Sequence, residues 1–312
     1  MRELQISKDI SNIIKGISCL LIVAHHFCLW LDGKGISNIF IHFIGLRGGV
    51  IGVTIFFFLS AWGLSESQNR NKYSLKVYVK RRLSKVFIPL FITNVIFYCI
   101  LVLSKQISFR PSTLFLTALN IKYFDGVLWF CNTILIFYAI FYFAFLPNHK
   151  NVKITICLLG TILYSIFASF IYPDAPFYVY SVVGFPLGMI LSLYKDVVLK
   201  ISFWSKWSFC ILFFLLCGAL LFPSYGKLFF MNIFSFFIVF ILVFIISIIQ
   251  RVKLPNKLVV LPFLGSYSYE IYLLHYKVLV PMGRMDYLIW YPLVFFLIVL
   301  PMAMLLKKTT SF

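Results

Sequence analysis

The sequence predicts an all-α, polytopic membrane protein with about ten transmembrane helices and both termini in the cytoplasm. Three observations carry this expectation. Of 312 residues, 62% are hydrophobic and 20% aromatic, and only 12% are charged, against about a quarter charged in soluble globular domains. The apolar residues gather in successive long runs, each close to the about 20 residues that a spanning helix needs. Lys and Arg crowd alternate connections: with the N-terminus inside, about 19 fall on the cytoplasmic side and about 6 outside, the asymmetry that sets membrane orientation.

The first run, Ile13–Trp30, follows Arg2 and Lys8 as a signal peptide would. It is too long for one, and Leu31-Asp32-Gly33-Lys34 has no small-x-small cleavage site, so it is expected to stay as a spanning helix. The second, Ile39–Leu64, enters from outside through Arg47, where Gly48-Gly49 is expected to interrupt the helix. The hydrophilic stretch Ser65–Val86 is too short to fold alone and reads as a cytoplasmic loop with amphipathic helical character. It ends in Lys80-Arg81-Arg82-Leu83-Ser84-Lys85, just ahead of the third run, Phe87–Leu103. Val127–Leu146, Ile154–Tyr172, Phe177–Tyr194, Ile201–Phe222, Leu228–Ile249, Leu258–Val280 and Tyr287–Leu306 complete the series on the same length criterion. No linker, repeat or soluble segment interrupts it, which predicts a single membrane domain over residues 1–312 without an appended extracellular domain.

The formal net charge of +19 is interleaved with apolar runs. It therefore reads as a topology signal and an attraction to anionic membrane lipids, and nucleic acid is not expected as a partner. The seven cysteines lie within or beside the apolar runs, are odd in number and form no Cys-x-x-Cys pair. They are expected to act as packing residues, and no metal is expected.

Ionisable groups inside a bilayer are costly and point to function. Lys15 and His26 are eleven residues apart, which is three helical turns plus about 20°, so they share a stripe with His26 roughly 16 Å deeper. His25 lies about 80° off that stripe. Counted at helical rise from the cytoplasmic edge, His26 sits at roughly 20 Å, Glu270 at roughly 18 Å and His275 at roughly 25 Å in a core about 30 Å thick. Arg47 enters to a similar level, so a His, Arg, Glu and His are expected to line one polar chamber. Each has a plainer reading too: a membrane histidine can serve as interhelical glue, and Arg47 with Glu270 as a structural ion pair. His42 and His149 fall near interfaces and are expected to be solvated. The basic run before the third span either follows from the charge asymmetry alone or binds phosphates through its guanidinium groups.

Several motifs occur in a consistent order. Lys15 is followed by ten residues and His26, and Gly49-Val-Ile-Gly-Val-Thr-Ile-Phe-Phe-Phe-Leu-Ser60 is a glycine-valine stretch ending in Phe-Phe-x-Leu-Ser. Arg82-x-x-Lys85 precedes Pro89, Leu128-Trp129-Phe130 precedes Phe137-Tyr138, and Leu264-Gly265-Ser-Tyr-Ser-Tyr269 leads to Tyr272-Leu-Leu-His275. In this order and over nearly the whole chain, they resemble the acyltransferase 3 family of integral membrane acyltransferases. Lys15 and Lys85 stand where Arg is frequent in that family, which keeps the charge and loses the bidentate fork. Ala61-Trp62 replaces its usual Gly-aromatic pair.

The resemblance implies transfer of an acyl group, most often acetyl from acetyl-CoA, to a hydroxyl of a carbohydrate or glycolipid acceptor at the other face of a bacterial cytoplasmic membrane. Under it, Lys15, Arg81, Arg82 and Lys85 would hold the CoA phosphates at the cytoplasmic mouth. His26 would act as general base or as transient acyl carrier. Glu270 and His275 would orient His26 or bind the sugar, and Asn132, Ser60 or Arg47 would stabilise the oxyanion. Tyr269 and Trp129 would contact substrate, although Trp129 also suits an interfacial anchor. The rival classes are a transporter or flippase of a sugar-linked lipid and a silent scaffold. The chain lacks the paired Gly/Pro-broken segments of the first, and the second leaves the Lys15–His26 spacing unexplained.

Overall fold

The structure is a computed structural model that describes residues 4–122, 124, 126–197, 227–250, 259–284 and 288–310. Among the described residues all regular structure is helical. In chain order the helices are α1 (Lys8–Gly33), α2 (Ile39–Asn71), α3 (Leu75–Arg82), α4 (Ile88–Leu103), α5 (Pro111–Ala118), α6 (Trp129–Phe145), α7 (Lys150–Ile171), α8 (Gly184–Leu193), α9 (Lys227–Ile249), α10 (Val260–Ser266), α11 (Ser268–Arg284), α12 (Tyr291–Val294) and α13 (Leu300–Thr310). Two π-helical turns, Leu83–Phe87 and Phe295–Val299, join α3 to α4 and α12 to α13 without a break.

Seven helices among the described residues are long and apolar enough to cross a membrane: Lys8–Gly33, Ile39–Asn71, Leu75–Leu103, Lys150–Ile171, Pro176–Leu193, Phe230–Ile249 and Leu288–Thr310. Three expected spans are not among them. Ile201–Phe222 lies outside the described residues. Val127–Leu146 yields α6, a shorter apolar helix of 17 residues, which stops ahead of Pro147 because a proline disfavours helical backbone in the residue before it. Leu258–Val280 is divided at Tyr267 into α10 and α11.

The stretch Ser65–Val86, expected as a loop with amphipathic helical character, is mostly helix. The α2 helix runs on to Asn71, and α3 begins at Leu75. The polar end of α2 is satisfied locally, since Glu66 accepts from the Ser192 hydroxyl at 2.9 Å and the Lys195 ammonium at 3.1 Å. Gly48-Gly49 does not break α2 either. These glycines serve close packing: a Cβ on Gly48 would fall 3.0 Å from the Leu21 carbonyl oxygen, and one on Gly49 would fall 2.7 Å from the His25 ring.

The chain divides into two compact units. The first comprises Met1–Ser18, Val50–Lys72 and Ala139–Gly265. Its core gathers Leu4, Ile14, Phe58, Trp62, Val239 and Ile246. Here α8 lies close on α2, with Gly184 against the Thr54 carbonyl and Gly188 against that of Phe58. The second unit comprises Cys19–Gly49, Tyr73–Tyr138 and Ser266–Phe312. At its centre α11 packs against α4, α13 and the π-turn Phe295–Val299.

The second unit also holds α5, which is too short to register as a span. The Asn94 amide donates to the Thr117 carbonyl at 3.0 Å, and the Tyr98 hydroxyl donates to that of Arg110 at 3.0 Å, fastening α5 to α4.

Candidate active site

Within the second unit, His25 and His26 leave α1 side by side, with ring centroids 4.6 Å apart. His25 is wedged against the glycines of α2, and its Nδ1–H donates to the Ile44 carbonyl at 3.4 Å. His26 is turned the other way, onto α11. Its ring lies 5.3 Å from that of His275 and meets Tyr276 edge-on at 4.9 Å. The spacing argument that preferred His26 over His25 therefore separates a ring seated between two helices from one that faces an opening.

His275 is fully buried. Its Nδ1 lies 2.8 Å from the Tyr272 carbonyl oxygen, and because a carbonyl only accepts, that nitrogen carries the proton. The lone pair is then on Nε2, which is buried without a hydrogen-bond partner among the described residues. Tyr291 donates to the His275 carbonyl at 3.1 Å and stacks on Phe27 at 5.6 Å, while the Tyr272 hydroxyl donates to the Val127 carbonyl. The second imidazole is thus fixed in place, with an acceptor atom left bare.

His26 opens onto a cleft of about 400 Å³ lined by His26, Leu29, Trp30, Gly33, Lys34 and Tyr276. Leu29, Trp30 and Gly33 follow His26 by three, four and seven residues, so they continue its stripe to the C-terminal end of α1, and Lys34 lies just past that end. Trp30 was not singled out in the sequence. Its signal, an aromatic at i+4 from the candidate base, was present there.

The basic residues form a separate group. Arg81 lies over the Tyr73 ring at 4.1 Å, and Arg82 lies between the rings of Tyr78 and Tyr138 at 5.7 and 5.5 Å. The Arg82 Nε is buried without a hydrogen-bond partner among the described residues. Lys85 interacts electrostatically with Arg82, Arg81 and Lys307, which adds a C-terminal lysine that sequence spacing did not select. Lys307 lies over Tyr267 at 4.7 Å and donates to the Ser266 carbonyl. Tyr269 ties α11 to this end: its hydroxyl donates to the Val86 carbonyl in the π-turn at 2.8 Å and touches the Cys131 sulfur at 3.6 Å.

The expected four-residue chamber is brought together only in part. His26 and His275 meet. Glu270 is buried, but it lies five residues before His275 on α11, about 140° round the helix, and interacts electrostatically with Lys307 and Cys19. Arg47 is buried in α2, next to Gly48. Asn132 belongs to a structural ladder: its Oδ1 accepts from Asn120 at 2.9 Å, its amide donates to the Asn120 carbonyl at 3.0 Å, and Asn120 in turn accepts from Asn94 at 3.2 Å. Trp129 opens α6 with its ring edge-on to Phe130 at 6.4 Å. Lys15 and Ser60 lie in the first unit, on α1 and α2.

An acyltransferase domain profile of the acyltransferase 3 family matches residues 9–307. The chain belongs to the acyltransferase 3 family. No curated protein and no solved structure matches it significantly. As a member of this family it is a membrane-bound acyltransferase, and its helix composition makes it a multi-pass membrane protein.

Proposed function

We propose that this acyltransferase moves an acetyl group from cytosolic acetyl-CoA to a hydroxyl of a cell-surface or lipid-linked carbohydrate in a bacterial cytoplasmic membrane, with His26 as the reacting base. The observation that supports this most is the position of His26, which faces a cleft on one side and His275 on the other.

An alcohol is a poor nucleophile until it loses its proton, whereas a thiolate leaves readily, so deprotonation of the acceptor is the step that most needs help. His26 takes the hydroxyl proton as the oxygen bonds to the thioester carbon. The tetrahedral intermediate then expels CoA thiolate, which recovers the proton from the imidazolium. His275 is a positioning residue whose fixed ring limits the orientations open to His26. Arg47 is assigned to the oxyanion by charge and burial. The same imidazole supports a second route, in which it attacks the thioester and forms an acyl-histidine that the acceptor hydroxyl cleaves. Ping-pong kinetics distinguish that route from a ternary complex.

Arg81, Arg82 and Lys85 are assigned to the CoA phosphates. Tyr269 lies six residues before His275 on α11, which is about 9 Å at helical rise, a span within reach of the pantetheine arm. Binding energy taken up by remote phosphates would then position the thioester. Glu270, at the Lys307 end, shapes this donor side.

The full chain in lipid nanodiscs, given acetyl-CoA and a panel of glycans, tests the proposal. Wild type is expected to release CoA thiol and yield O-acetylated product by mass spectrometry. Absence of both with every acceptor, and unchanged surface-glycan acetylation in cells lacking the chain, would overturn it.

A further inference from the structure

The cleft beside His26 runs along one stripe of α1 from His26 to Gly33, with Lys34 just past the helix end, roughly 11 Å at helical rise. Among the described residues that line it, the one indole is Trp30, one turn beyond the candidate base. Gly283 on α11 determines where that ring sits, since a Cβ there would fall 2.6, 2.8 and 2.8 Å from three atoms of the indole. Gly283 follows Tyr276 by seven residues, so both lie on one face of α11, and that face presents Tyr276 to His26 and bare backbone to Trp30. The indole is therefore backed by a helix on one side while it lines the cleft on the other. Trp129, the other aromatic considered for substrate contact, packs on Phe130 and is not among the described residues lining the cleft.

A flat aromatic face, rigidly backed and beside polar groups, suits the C–H face of a pyranose ring, whose hydroxyls then project from the ring edge. We infer that Trp30 is the acceptor platform: a hexopyranose stacks on the indole, with one ring hydroxyl delivered to His26, and Gly283 is the specificity-determining residue that keeps the indole in place. This rests on the acyl-transfer reading only for what happens at His26, because the binding itself does not require chemistry.

The test uses the full chain in nanodiscs, labelled with 5-fluorotryptophan, in which the fluorine resonance lost in Trp30→Phe belongs to Trp30. Methyl hexopyranosides and N-acetylhexosaminides are titrated in turn, with glycerol as a non-ring polyol. At least one pyranoside is expected to shift the Trp30 resonance saturably, glycerol is not, and the shift is expected to persist in His26→Ala. Gly283→Ala, which must push the indole into the cleft, is expected to weaken the shift-derived affinity at least tenfold. Gly283→Ala with unchanged affinity, or a Trp30 resonance that no pyranoside moves, would overturn the assignment even if acetyl transfer is observed. A saturable pyranoside shift in a chain that consumes no acetyl-CoA would uphold the platform and defeat the acyl-transfer reading.

Discussion

Two adjacent histidines on α1 have opposite surroundings, and their substitution should separate chemistry from packing. His26 faces the cleft on one side and the fixed imidazole of His275 on the other. General base catalysis contributes about 10²–10⁴-fold, so His26→Ala is expected to lower acetyl transfer by that order while the thermal unfolding midpoint stays within a degree or two of wild type. Activity within threefold of wild type would remove His26 from the reaction. His25 is wedged on Gly48-Gly49 and donates to Ile44. His25→Ala would leave a void between two helices, a change that costs roughly 1–3 kcal/mol where the surroundings relax only in part. The expected outcome is a lowered unfolding midpoint with a smaller loss of turnover per folded molecule. A stable variant as inactive as His26→Ala would show instead that both rings act on substrate.

Helix contacts in this chain are made by glycine where backbones approach, the packing mode available to helices in a lipid environment that does not itself drive them together. A Cβ on Gly265 of α10 would sit 1.8 Å from the Asn12 carbonyl oxygen of α1. Backbone cannot swing aside, so Gly265→Ala is expected to destabilise by at least the roughly 1–3 kcal/mol of an overpacked core, read as a drop in the unfolding midpoint. An unchanged midpoint would mean that α1 and α10 are not in contact. Tyr269 makes the matching contact at the donor side, where its hydroxyl holds a carbonyl of the π-turn that follows Arg82. Tyr269→Phe is expected to raise the acetyl-CoA KM several-fold with little change in the acceptor KM, and equal changes in both would refute a donor-side role. Seven of the ten expected spans were legible because run length and hydropathy suffice for a span. What glycine does was not: Gly48-Gly49 read as a break because only its intrinsic flexibility is local, whereas its packing against Leu21 and His25 is set by another helix. The split at Tyr267 falls in Gly265-Ser-Tyr-Ser-Tyr269, a polar interruption that an averaged run length passes over. Depth alone placed Glu270 beside His26 and His275, although the five-residue spacing already turned it away. The Asn94–Asn120–Asn132 ladder joins three distant segments, so the structural use of Asn132 could not be read from its own neighbourhood.

At the scale of the whole molecule, the second unit would give the proposed reaction a direction. The α11 helix contacts the basic end through Tyr269 and Val86, and it reaches the cleft through Tyr276 and Gly283. Fourteen residues separate Tyr269 from Gly283, about 21 Å at helical rise, so the proposed donor and acceptor sites lie toward opposite ends of one helix in a core about 30 Å thick. A double substitution, Arg82→Gln with Lys85→Gln, is therefore expected to raise the acetyl-CoA KM about tenfold or more and leave the acceptor KM unchanged, the mirror image of Gly283→Ala. Sidedness follows from the same separation. In proteoliposomes sorted by protease access to an N-terminal tag, impermeant acetyl-CoA is expected to support transfer only from the side bearing the N-terminus, where the excess of Lys and Arg is expected to place the basic residues. The acceptor is expected to be consumed only from the other side. Transfer at equal rates with donor and acceptor supplied on one side would mean that both substrates enter by a common mouth, and the separation along α11 would then have no part in the reaction.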